Sequence, residues 1–146
     1  MRAIFVSARL PAAADLALLL LRLVLGAAFV IHGYSKFHDP TGWATRMLPG
    51  VPAWLQAIAA FAELGGGAAL MLGLFTRLFA FLIACNMVVA VFGVLIPHHA
   101  LFVNDGPGAP SYEKPLVYLA VVLALLLCGP GRFSADAALF AKGRRK

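Results

Sequence analysis

Six side chains in this chain of 146 residues are candidates for chemistry: Arg22, Glu63 and Asn86 inside apolar runs, and His32, Lys36 and Tyr112 at the ends of such runs or in the loops beyond. Arg22, Glu63 and Asn86 each interrupt an apolar run, and Glu63 stands in AFAELGGGAALMLG, residues 60–73. A guanidinium and a carboxylate in such surroundings have two uses. They form a peg that fixes helix register, or a site that relays protons or polarises a bound cofactor, since intramembrane ionisable groups are often functional. Glu63, Arg22 and His32 are therefore candidate catalytic groups, and His32, Lys36, Asn86 and Tyr112 are candidates for holding a cofactor. A histidine can bind a metal or hydrogen-bond a quinone carbonyl. The spacing of His32, His38, His98 and His99 resembles no zinc or haem signature, so no metal site is expected, and polar residues in wet loops are the plain alternative.

Composition says what must position these groups. The chain is 62% hydrophobic and 12% charged, with a mean hydropathy of +0.91. A soluble domain is nearer half apolar and about a quarter charged, so lipid is the solvent expected here. Apolar runs cover 16–33, 53–74, 78–97 and 115–128. A membrane helix needs about 20 residues. The fourth run reaches that length by starting near Ser111, with Pro115 in its first turn. The expectation is an all-α bundle of four transmembrane helices in a single domain, since bilayer depth demands internally paired backbone.

Orientation follows from the basic residues. Arg2, Arg9, Arg77, Arg132, Lys142, Arg144, Arg145 and Lys146 fall on one side, and Lys36, Arg46 and Lys114 on the other. Both termini should then be cytoplasmic, in a bacterial-type plasma (inner) membrane. The net charge of +6 reads as this bias, not as a nucleic-acid partner. Ala12-Ala13-Ala14 precedes the first apolar run, so an uncleaved first helix is expected. Residues 134–146 read as a short amphipathic surface helix with a basic end, suited to an anionic leaflet or to ordinary solubility. Trp43 and Trp54 read as interfacial anchors. Gly65, Ala69 and Gly73 form a small-residue stripe suited to close helix packing. Cys85 and Cys128 form no CxxC and sit at different depths, which speaks against thiol–disulfide exchange.

Counting at about 1.5 Å per residue from the cytoplasmic ends puts Glu63 about 16 Å deep, Asn86 about 13 Å and Arg22 about 9 Å. An unpaired charge at mid-bilayer costs about 2.5–3.5 kcal/mol. Pairing Arg22 with Glu63, with Asn86 filling the remaining hydrogen-bond sites, is the expected solution.

Three segments carry a resemblance. LLRLVLGAAFVIHGYSKF, FAELGGGAALMLGLFTRLFA and YEKPLVYLAVVLALLLCGPGRFSAD follow in order the pattern of the DoxX family of small four-helix membrane proteins, over roughly residues 16–136. The combination of an in-helix Arg, HGxxK, AExxGG, GLxTR and GPGRxSxD is specific. The resemblance marks Arg22, His32, Gly33, Lys36, Glu63, Gly66, Arg77, Tyr112, Glu113, Gly129, Gly131 and Arg132 as family-defining. It implies association with redox systems, since the family takes its name from a membrane subunit of a thiosulfate:quinone oxidoreductase.

The function expected is then a membrane component of a quinone-linked oxidoreductase, acting with a protein partner and with quinone as cofactor. The alternative is a non-catalytic scaffold in which an Arg–Glu pair is structural. A small-molecule, metal or proton permease is a third reading, and would need a homo-oligomer to build a pathway.

Overall fold

The computed structural model of the chain describes residues 11–104, 106 and 109–140. Arg2, Arg9, Asp105 and the basic cluster Lys142, Arg144, Arg145 and Lys146 lie outside the described residues. Much of the charge count behind the expected orientation therefore lies there too.

Within them the protein is all-helical. Helix α1 spans Ala12–Phe37, α2 Ala53–Leu72, α3 Thr76–Val88, α4 Glu113–Cys128 and α5 Ala135–Phe140. Helix α3 continues as a π-helical segment over Val89–Leu95. No strand forms among the described residues; a single isolated bridge joins Leu101 to Ser111. Three helices are long and apolar enough to cross a membrane: Ala12–Phe37, Ala53–Leu72 and Thr76–Leu95. Helix α4 has 16 residues, about 24 Å of rise. It begins at Glu113, two residues later than expected, because Tyr112 is spent in backbone pairing with Leu101.

Helix α1 runs 26 residues, well beyond the expected 16–33. The segment HGYSKF remains helical, so His32 and Lys36 lie one turn apart on the same helix. Lys36 in the last turn and Asp15 in the first both suit the helix dipole. Helix α2 stops at Gly73, whose φ of +69° only glycine adopts freely, and Leu74 N–H closes the turn on Ala69 O at 2.8 Å.

The helices follow one another around the bundle. α1 and α2 share the most extensive contact, α2 meets α3, α3 meets α4, and α4 returns to α1 only sparsely. Leu18, Leu25, Phe29, Leu70, Ile83, Leu119, Val122 and Leu125 fill the centre. Leu20, Val24, Ile31, Phe61, Phe81 and Leu127 face outward, as lipid solvation requires.

The glycine contact differs from the expected stripe. A Cβ on Gly67 would lie 2.7 Å from Gly26 O and 2.8 Å from Val30 N, both backbone atoms of α1. Gly33 meets the backbone of Leu64 in the same way. Gly66 instead faces Phe79 and Ile83 of α3, while Gly65 meets only Phe61 of its own helix. Gly65 and Gly73 of the expected stripe are thus not the crossing residues. The run GGG turns successive faces to different neighbours.

Gly67→Ala should therefore lower stability, with overpacking against backbone costing about 1–3 kcal/mol. Gly65→Ala should be neutral or stabilising, since alanine favours a helix by about 1 kcal/mol and the Phe61 ring is exposed and free to shift. Thermal unfolding of the two variants in detergent checks the difference in sign.

Candidate functional site

At the end of the bundle where α1 finishes and α2 begins, Lys36 donates to Glu63. The Nζ–Oε1 distance is 2.6 Å, and Glu63 is 3% exposed against 24% for Lys36. Antiparallel geometry makes this pair possible. Side chains on a helix lean toward its N-terminus. Lys36 near the end of α1 leans back into the bundle, and Glu63, midway along α2, leans toward the same end. They converge beside the close contact of Gly33 with Leu64. The second carboxylate oxygen, Glu63 Oε2, is buried and has no hydrogen-bond partner among the described residues.

The same lean defeats the expected Arg22–Glu63 pair. Arg22 points toward the start of α1, away from Glu63, and the two residues sit at levels about 15 Å apart along α2. Arg22 is fully buried at the opposite end, packed against Gly73, and its Nη2 donates to Phe133 O. Asp136 supplies nearby negative charge. That carboxylate also caps α3, with Oδ1 accepting from Phe75 N at 2.8 Å and Oδ2 from Thr76 N at 2.9 Å. Asp15 Oδ1 accepts from Arg132 N at 2.8 Å. Ser134 Oγ accepts from Ala137 N at 3.1 Å and so caps α5. The segment GPGRFSAD is thus a plug closing this end. The tail helix expected on the surface is anchored by a residue only 1% exposed, Asp136.

The other candidates divide between the Lys36 end and the helix contacts. His32 is exposed on α1, its ring edge against Tyr118 at 6.1 Å between centroids, and Tyr118 also touches Phe29 at 5.4 Å. This contact lies at the sparse side between α1 and α4. Asn86 Nδ2 donates to Ala59 O at 3.0 Å, tying α3 to α2 instead of completing Glu63. Tyr112 packs on Phe102 at 5.5 Å, about 9 Å of helix rise beyond Tyr118. His98 Nδ1, in the turn after the π-helical segment, lies 2.7 Å from Val94 O, and His38 Nδ1 lies 3.1 Å from Tyr34 O. The candidate site is therefore the Lys36–Glu63 pair, with His32 one turn along α1.

Sequence reasoning missed Tyr118, Asp15 and Asp136, and the contacts of Trp43. Trp43 is no free interfacial anchor: Lys36 Nζ sits 4.1 Å from its ring centroid, and its Nε1 donates to Gln56 O at 3.1 Å. Trp54, 64% exposed, fits the anchor reading better. The available signal for Tyr118 was an amphipathic ring within the first turn of an apolar run. For Asp136 it was the aspartate ending GPGRxSxD.

The arrangement offers one fixed cation, one carboxylate with an open acceptor and one exposed imidazole. Such a set can donate to a carbonyl and accept a proton from a hydroxyl.

Comparison with known proteins gives a consistent picture. The DoxX family model matches residues 17–96. CatD of Bacillus subtilis (strain 168), provisionally named an oxidoreductase, is 33% identical over 90% of this chain and 92% of its own. The inner membrane protein YqjF of Escherichia coli (strain K12) is 28% identical over 84% of this chain and 91% of its own. An uncharacterized protein of Haemophilus influenzae is 31% identical over 84% and 90%. No solved structure matches. Similarity and apolar helices together make this a multi-pass inner-membrane protein.

Lys36→Met should destabilise the fold by about 3–5 kcal/mol, because it leaves a buried carboxylate uncompensated. Adding Glu63→Gln to Lys36→Met should recover most of the loss. Unfolding of both variants in detergent, compared in a double-mutant cycle, checks the coupling.

Proposed function

The chain belongs to the DoxX family, and from that premise we propose that it is the membrane component of a quinone-linked redox system. A partner protein supplies or removes the electrons. In this reading α4 and its flanking residues complete a four-helix transmembrane bundle, with both termini in the cytoplasm.

The observation that carries the reading is Glu63, with Oε1 held by Lys36 and Oε2 buried without a partner. These residues fit a quinone headgroup. Its carbonyl oxygens accept hydrogen bonds, and Lys36 and His32 are donors. Its reduced form carries hydroxyl donors, and Glu63 Oε2 is an acceptor. When bound, the quinone supplies two-electron, two-proton chemistry in a lipid-soluble form. The chain's own part is local: Lys36 holds positive charge beside the site, Glu63 takes or gives a proton at Oε2, and His32 orients the ring at the lipid-exposed edge. The provisional naming of CatD agrees with a redox role.

A non-catalytic scaffold is the second reading, favoured by the bridge that Lys36 and Glu63 make between α1 and α2 at their closest approach.

Purified protein in lipid nanodiscs should release co-purified quinone on solvent extraction and bind short-chain benzoquinone or naphthoquinone. Glu63→Gln and His32→Ala should each weaken binding, by about 10- to 100-fold for the charged group, with the fold intact. Quinone-free protein with no measurable affinity overturns the proposal. Folded Glu63→Gln with unchanged quinone binding but reduced assembly with partners supports the scaffold.

A further inference from the structure

We propose that Trp43 is a positioning residue that locks the Lys36 ammonium onto one oxygen of Glu63 and so keeps the other oxygen open to a quinol hydroxyl. The inference rests on the quinone-linked reading above and extends it to a residue outside the donor–acceptor set.

The loop between α1 and α2 folds back as successive turns, with Trp43 N–H on Asp39 O at 3.2 Å and Leu48 N–H on Ala44 O at 2.8 Å. Gln56, 4% exposed, fixes this fold from the first turn of α2. Its Oε1 accepts from Ala44 N at 2.9 Å, its Nε2 donates to Val51 O at 3.1 Å, and its backbone carbonyl takes the Trp43 indole N–H at 3.1 Å. The indole can neither flip nor slide without breaking these bonds. Its face lies against Lys36 Nζ at 4.1 Å from the centroid, while the same ammonium donates to Glu63 Oε1 at 2.6 Å.

An ammonium has three donors on a flexible stem, and one this exposed has room to swing. With the ring on one side and Oε1 on the other, Lys36 has a single seat. Glu63 Oε2 then remains an acceptor that nothing in the described residues fills. Removing the ring face frees Lys36 to alternate between the two oxygens or to turn outward. In either case the open acceptor is lost for part of the time, and the quinol hydroxyl meets a competitor.

The test uses the full chain in nanodiscs carrying Trp54→Phe, which leaves Trp43 as the single indole of the two in the sequence. Titration with a short-chain quinol analogue should show Trp43→Leu binding about 3- to 30-fold more weakly, the range of a cation–π contact at partly desolvated sites. Trp43→Phe keeps a ring face and should bind within about threefold of the parent. Trp43→Leu should cause little further loss in a Lys36→Met background. Independently of any quinone, Lys36→Met should shift the Trp43 emission maximum and raise its quenching by acrylamide. Parent-like binding by a folded Trp43→Leu protein, or equal losses in Trp43→Phe and Trp43→Leu, overturns the positioning role. Trp43→Phe keeps this outcome readable where Trp43→Leu does not fold. If the parent itself binds no quinol while the emission shift persists, the quinone-linked reading falls and takes this role with it, and only the contact remains.

Discussion

An ammonium and a carboxylate held 2.6 Å apart between two apolar helices constrain most of this structure. In a low-dielectric interior each charge alone is costly, and the pair is tolerable only with short, well-placed contact. Contact that short needs the two backbones to approach closely, which Gly26, Gly33 and Gly67 permit. It also fixes the vertical register of α1 against α2. Register in turn sets Gly33 against Leu64 beside the pair and places Gly73 over Arg22 at the other end. Chemistry and helix packing therefore share one set of residues.

The helices were legible because their apolar runs are long and their breaks carry proline or glycine. Pro52 precedes α2 as expected, whereas Gly73, read from the sequence as part of a packing stripe, ends it. Polar partners were less legible. Depth counting treats a side chain as a point at its Cα, but a side chain leans toward its own helix N-terminus. In an antiparallel pair that lean separated Arg22 from Glu63 and joined Lys36 to Glu63. HGYSKF continues α1, which brought Lys36 into range. A reading that ended the helix at Gly33 left Lys36 in a loop. Asp136 was hidden for another reason: its ligands are backbone amides of Phe75 and Thr76, and backbone donors carry no sequence label.

Two polar layers result, one at each end, with an apolar middle of Leu25, Phe29, Leu70, Ile83 and Val122 between them. The layers differ in character. Around Arg22 the carboxylates of Asp15 and Asp136 are satisfied by backbone N–H groups, and the plug GPGRFSAD closes over the guanidinium. Around Glu63 a carboxylate oxygen is buried without a partner among the described residues, and His32 is exposed one turn from Lys36. Arg22 Nε and Nη1 in the first layer are also buried without a partner among the described residues, so the layers differ in their carboxylates and in the exposed imidazole of the second.

The plug also sets an order of events during biogenesis. Arg22 meets its acceptor Phe133 across 111 residues, and Asp15 meets Arg132 N across 117. Both charged groups belong to α1, and their partners follow α4. Until that segment is made, α1 carries an unshielded cation and an unshielded anion into or beside the bilayer. The nascent chain must keep that end hydrated, or in the care of the insertion machinery, until residues 129–136 arrive. A truncation just before Gly129 leaves every long apolar helix intact and yet withholds the latch, making the C-terminal segment a completion signal for the membrane-embedded fold.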